Sequence, residues 1–137
     1  MDNRKIGEEG AKHFHSLGHF RSFGFLPDIP QSRWSMMRLR GFVTELRKRG
    51  HSVNVFHSTE PHATDKYRNG LVNWFKSLQR PAAVMLAGDY HAMNAFEACS
   101  AARLAVPGDI AILGVDNDPL LCDFTNPTIS SVDPNPF

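Results

Sequence analysis

An apolar run from Ile110 to Val115 stops abruptly at Asp116-Asn117-Asp118-Pro119, and another, at 82–88, stops at Asp89. A polar, proline-rich stretch at 27–34 ends in Trp34, with Arg38 four residues on. These residue types divide the work of holding a neutral polyol. A carboxylate accepts two hydroxyl protons, a guanidinium donates in a fork, and an aromatic face packs on the apolar C–H side of a sugar ring. Asp116, Arg38 and Trp34 supply all three, and Asp89 is a second carboxylate.

The same two carboxylates, Asp89 and Asp116, suit a second chemistry. On neighbouring strand ends they would hold Mg²⁺ in a phosphotransfer domain. That chemistry also asks for a lysine after the last strand or a nucleophilic aspartate after the first. The lysines are Lys5, Lys12, Lys48, Lys66 and Lys76, none near the final strand, and Asp28 is wedged between Pro27 and Ile29-Pro30. A dinucleotide fingerprint, a phosphate-cradling GxxxxGK[ST] and a GxSxG nucleophile elbow are all missing. The seven histidines show no ligand spacing: His13 and His15 fall on different helix faces, and His51, His57 and His62 lie near loops without paired carboxylates. The expectation is a binding protein with no catalytic residue, no cofactor and no metal.

The elements that must position these groups alternate. Residues 4–17 read as a helix with Ile6, Gly10, Phe14 and Leu17 on one face and Gly18 as its stop. A strand follows at 20–26. A helix at 33–49 carries Met36, Met37, Leu39, Phe42, Val43 and Leu46, closed by Gly50. The pattern continues with a strand at 52–58, a helix at 65–79, a strand at 82–88, a helix at 91–104, a strand at 109–116 and a short strand at 128–132. Strands alternating with helices mean βαβ units and a parallel sheet, and the unbroken apolar runs suit strands covered on both faces. The predicted fold is α/β: a doubly wound, five-stranded parallel sheet in the flavodoxin-like order 2-1-3-4-5, with helices on both faces. Ligands gather beyond the carboxyl ends of such strands, which is where Asp89, Asp116 and the 27–34 loop fall. Val84, Leu86, Ile112 and Leu113 are expected to be buried, and the Phe-rich set Phe14, Phe20, Phe23, Phe25, Phe42 and Phe75 belongs to the core.

The bulk numbers permit this. The chain has 137 residues, 42% hydrophobic and 21% charged, with a net charge of +1, ordinary for one globular domain with a real core. The balanced charge gives no reason to expect nucleic-acid binding by this segment itself. The N-terminus lacks a signal-peptide core, no run approaches a membrane span, and Cys99 and Cys122 fit no CxxC pattern. A reduced, cytoplasmic protein is the expectation. Met1 directly before Asp2-Asn3, and a tail that stops just after a strand, read as a segment of a longer protein.

Several stretches resemble the effector-binding domains of the LacI/GalR family. "EEGAKHFHSLGH" resembles the family's "a…hL…GH", and "RWSMMRLRGF" its "R…R..GF" helix start. "RPAAVMLAGDYHAMNAFEACSAARLAVPGDIAILGVDND" is similar to "P.Ai…nD..A.g…al…gl.vP.DiaviGfDn", and "NPTISSVDPN" to "pLTtv.qp". The likeness spans nearly the whole chain in order. "RWSMMRLRGF" and "GVDND…ISSV" resemble, more narrowly, the xylose-operon regulators that carry an AraC-type DNA-binding domain.

The resemblance implies one lobe, 1–137, of a two-lobed sugar sensor: the C-terminal lobe of a type I periplasmic-binding-protein-like fold. The partner lobe and the DNA-binding helix-turn-helix module are absent from this chain. It implies a small sugar effector, xylose or another pentose, held in the cleft between lobes, and a DNA partner reached through the missing module. Arg38, three before Gly41-Phe42, matches the family's sugar-binding Arg, and Asp116 its sugar-binding Asp. Asp89 matches the Asp of "nD", but the preceding Asn is Gly88 here. Trp34 rests on the xylose-regulator likeness alone. A transport sugar-binding protein of the same fold is the alternative. A lobe separated from its partner would expose apolar surface near 1–6 and 130–137 and tend to self-associate as a homodimer.

Plainer roles exist for each residue. Arg38 would serve as a surface helix arginine, Asp116 as a turn former before Pro119, and Trp34 as an anchor at a helix start. Asp89 is best read as the N-cap of the following helix.

Overall fold

Three helices begin where a short polar side chain takes up an orphan backbone N–H. In the computed structural model, which describes residues 2–28, 31–61, 64–88, 91–115 and 130–132, Asp2 caps α1 (Asn3–Leu17) by accepting from the Lys5 N–H at 3.0 Å. Ser32 caps α2 (Arg33–Lys48) through the Ser35 N–H, and Thr64 caps α3 (Asp65–Ser77) through the Tyr67 N–H at 3.2 Å. The fourth helix, α4 (Ala92–Ala101), starts at His91 without a side-chain cap bond. The strands are β1 (Ser22–Leu26), β2 (Asn54–Val55), β3 (Ala82–Leu86), β4 (Ile110–Val115) and β5 (Ser130–Val132).

All five strands pair in parallel, in the order β2-β1-β3-β4-β5. This is the predicted doubly wound topology. β3 is central, with Ser22↔Ala82 through Leu26↔Leu86 on one side and Ala82↔Ile110 through Met85↔Leu113 on the other. Every residue of β3 is buried, as a strand covered on both faces requires.

Side chains alternate across the sheet and divide the core in two. Phe23, Phe25, Ala83, Met85 and Leu113 pack with Ile6, Phe14, Phe42 and Leu46 of α1 and α2. Leu26, Val84, Leu86, Ile110 and Ile112 pack with Tyr67, Leu71 and Phe75 of α3 and Ala95, Ala98 and Cys99 of α4. The four residues expected inside, Val84, Leu86, Ile112 and Leu113, are all buried. Each large apolar side chain sequestered this way contributes roughly 1.5–3 kcal/mol.

α1 and α2 touch backbone to backbone. A Cβ on Gly7 would overlap the Arg38 carbonyl oxygen, and one on Gly41 the Arg4 carbonyl oxygen. Only glycine permits this approach at either position.

Several sequence expectations shift. Leu17 is 49% exposed and Met36 37% exposed, so neither belongs to the core, and Phe20 is only half-buried. β2 is two residues long rather than 52–58, because an edge strand has one neighbour and pairs only at Gly24↔Asn54 and Phe25↔Val55. α3 ends at Ser77, where Leu78 turns extended and buries its side chain. α4 ends at Ala101 instead of 104, because Arg103 adopts a left-handed conformation with φ 60°.

Candidate functional site

β1 and β3 lie side by side at the centre of the sheet, and the chain beyond their carboxyl ends carries the polar groups. Arg38 is the best defined of them. It lies in the second turn of α2, and the α1–α2 contact turns it inward. It is 3% exposed, which excludes the reading of a surface helix arginine. Its Nη1 donates to the Ala87 carbonyl, just past β3, at 2.5 Å, and its Nε donates to Asn3 Oδ1 at 3.1 Å. A buried guanidinium must spend its N–H groups on acceptors, and these two fix the plane of the fork.

Trp34, in the first turn of α2, lies four residues before Arg38 on the same helix face. The Arg38 guanidinium carbon lies 4.8 Å from the Trp34 ring centroid, a cation–π stack. The indole is half-buried. The structure thus brings together two of the four residues singled out from sequence, Trp34 and Arg38. The other two, Asp89 and Asp116, lie outside the described residues, as does the cap role considered for Asp89.

Sequence reasoning missed a second group on this rim. The Asp28 N–H donates to Ser35 Oγ at 3.0 Å, tying the end of β1 to the start of α2. Asp28 Oδ1 faces His91 Nε2 at 3.4 Å. His91 is fully buried and holds the turn after β3 through its own N–H, which donates to the Gly88 carbonyl. Tyr67, also buried, feels the same carboxylate: burial first, and the charge of Asp28 second, push its hydroxyl up to about 12. Asp28, Tyr67 and His91 share no spacing, so only the packing of three separate segments reveals their company. The one legible hint was Asp28 at a strand's carboxyl end.

The opposite edge differs. A polar cavity of about 400 Å³ opens there, lined by Arg21, Ser22, His51, Asn54 and Gln79 among others. It includes neither Arg38 nor Trp34. Among the described residues, no group of three or more His, Cys, Asp or Glu is placed to hold a metal ion, and no helix is long and apolar enough to cross a membrane.

Comparison with known proteins agrees with this fold. The chain is 25% identical over 136 residues to the xylose operon regulatory protein of Haemophilus influenzae, covering 96% of this chain and 35% of that protein. It therefore spans about a third of the length of the curated relatives it matches. Among solved structures, the transcriptional repressor ascG of Escherichia coli superposes with a TM-score of 0.79 at 21% identity, covering 96% of this chain and 48% of that one. A periplasmic binding protein/LacI transcriptional regulator from Alkaliphilus metalliredigens, complexed with D-xylulofuranose, superposes with a TM-score of 0.73 at 16% identity, with the same two coverages. The family model for the periplasmic binding protein-like domain matches residues 11–136. With its doubly wound sheet and this match over most of its length, the chain belongs to the periplasmic binding protein-like domain family.

Proposed function

We propose that this chain is one lobe of the effector-binding domain of a sugar-responsive transcription regulator, and that the rim at Arg38 holds a small sugar, xylose or a similar pentose. The observation that carries the reading is the oriented Arg38 guanidinium, stacked on Trp34 and anchored to Ala87 beyond the central strand. Arg38 donates to sugar hydroxyls, the Trp34 ring covers an apolar sugar face, and Asp116 accepts hydroxyl protons. Two likenesses support the choice of sugar: the xylose operon regulatory proteins among the relatives, and the bound D-xylulofuranose of one structural neighbour. The lobe has no catalytic task. It shifts an equilibrium between two arrangements of the complete sensor, and a DNA-binding module elsewhere in the protein reads that shift.

Calorimetric titration of D-xylose into the complete sensor tests the reading. A hydrogen bond to a charged group is worth about 1.5–3 kcal/mol, so Asp116→Asn is expected to weaken binding roughly ten- to hundredfold. Arg38→Ala is expected to cost as much or more, since it removes a fork of donors. Wild-type affinity in both variants would reduce Asp116 to a turn residue and Arg38 to a structural staple.

A further inference from the structure

The guanidinium of Arg38 points where it does because something holds it, and one holder is a side chain from another helix. Asn3 and Arg38 are 35 residues apart in sequence, yet Asn3 Oδ1 accepts the Arg38 Nε–H at 3.1 Å. Asn3 sits one turn before Gly7 and Arg38 one turn before Gly41. At these two glycines the helix backbones close on each other. The crossing therefore sets the Asn3–Arg38 distance, and a wider crossing would carry the amide away. The Ala87 carbonyl fixes a second point, Nη1. Two anchors at different nitrogens fix a planar group's position and its rotation about the Cδ–Nε axis, where one anchor leaves it free to swing. The Trp34 ring, stacked on one side, limits tilt.

We infer that Asn3 is a positioning residue of the sugar site: it does not touch the sugar, but aims Arg38 at it. The inference rests on the proposed role of Arg38. Asn3 is half-buried, and its amide carbonyl suits the task. The Nε–H needs one acceptor, and the amide oxygen supplies it.

The test is a binding double-mutant cycle in the complete sensor, with whichever of D-xylose, L-arabinose and D-ribose the wild type binds tightest. Asn3→Leu keeps the size of the side chain and deletes the acceptor, and is expected to weaken binding about three- to tenfold, the scale of one hydrogen bond. Asn3→Asp restores an acceptor at the same place and is expected to recover most of that loss. In an Arg38→Ala background, Asn3→Leu should change affinity less than about twofold, because nothing is left to aim. A merely structural role would lower the unfolding midpoint in both backgrounds alike and leave no coupling in the affinities. Unchanged affinity in Asn3→Leu, or an equal loss with and without Arg38, overturns the inference while Arg38→Ala alone still weakens binding. Arg38→Ala at wild-type affinity, or a wild type that binds none of the three sugars, overturns the proposed function and this inference with it.

Discussion

The two helix layers of this domain are built on opposite plans. On one face of the sheet α1 and α2 close until backbone meets backbone at Gly7 and Gly41. On the other, α3 and α4 leave a cavity of about 210 Å³ between them, lined by Arg68, Val72, Asn94, Glu97, Ala98 and Ala101. The tight layer carries Asn3, Trp34 and Arg38, whose side chains meet only if their helices are fixed. The loose layer contributes Tyr67 and His91, which are held by burial near the strand ends. Precision in a polar site is bought here by backbone contact one turn away.

The same substitution therefore has opposite signs in the two layers. Gly41→Ala is the severest case. Its Cβ meets a carbonyl oxygen on a facing helix, and backbone cannot step aside as a side chain can. A loss of about 2–3 kcal/mol is expected in urea unfolding, on the scale of overpacked cores. Sugar affinity should fall as well, because Asn3 and Arg38 are pushed apart. A neutral Gly41→Ala would show that the two backbones part easily and would erase the distinction between the layers.

Alkaline pH should act mainly on the loose layer. Burial raises the Cys99 thiol from 9.0 to about 12, and burial with the Asp28 charge raises Tyr67 from 10.0 to about 12. For both groups the folded state binds its proton more tightly than the unfolded chain does. Their stabilisation is complete below the unfolded values and is lost as pH rises from about 9 towards 12. Urea midpoints measured across that range should fall, and less steeply in Cys99→Ala and Tyr67→Phe. The same burial should leave Cys99 inert to thiol reagents in the native protein.

Gly70→Ala is the mildest and has the reverse sign. Gly70 lies inside α3, where a new Cβ would meet only the Phe56 ring at 3.9 Å. Removing a flexible residue from a helix interior is expected to stabilise by about 0.5–1 kcal/mol. Arg103→Gly should gain a similar amount by relieving a left-handed conformation, φ 60°, on a residue with a Cβ. A loss in Gly70→Ala would mean that α3 is as constrained as α2.

Arg103 also shows how far the sequence can be read. α2 and α4 end in the same way. The His51 N–H donates to Leu46 O and the Gly50 N–H to Arg47 O, while the Leu104 N–H donates to Cys99 O and the Arg103 N–H to Ser100 O. Both are Schellman motifs. The first has glycine in the left-handed position, so the end of α2 was legible to within a residue. The second has arginine there, and the predicted helix ran on to 104. The sheet was legible because β3 and β4 are apolar runs long enough to require cover on both faces. β2 was overdrawn because residue type alone does not show that this strand lies at the edge, where it pairs on one side and only at Asn54 and Val55. In the site, Arg38 and Trp34 were legible from residue type and family resemblance, which carry no distances. Asn3 was not, because no local pattern relates it to a residue 35 positions away.

One consequence of the buried Arg38 concerns entropy. A free arginine side chain sheds about 1.5–2 kcal/mol of rotamer freedom when it is immobilised. Here Asn3, Ala87 and Trp34 hold the side chain from the start, so that loss is incurred when the chain folds. Whatever docks on this rim meets an arginine already in place. Its affinity is spared the ordering of that side chain, and folding stability carries the cost instead.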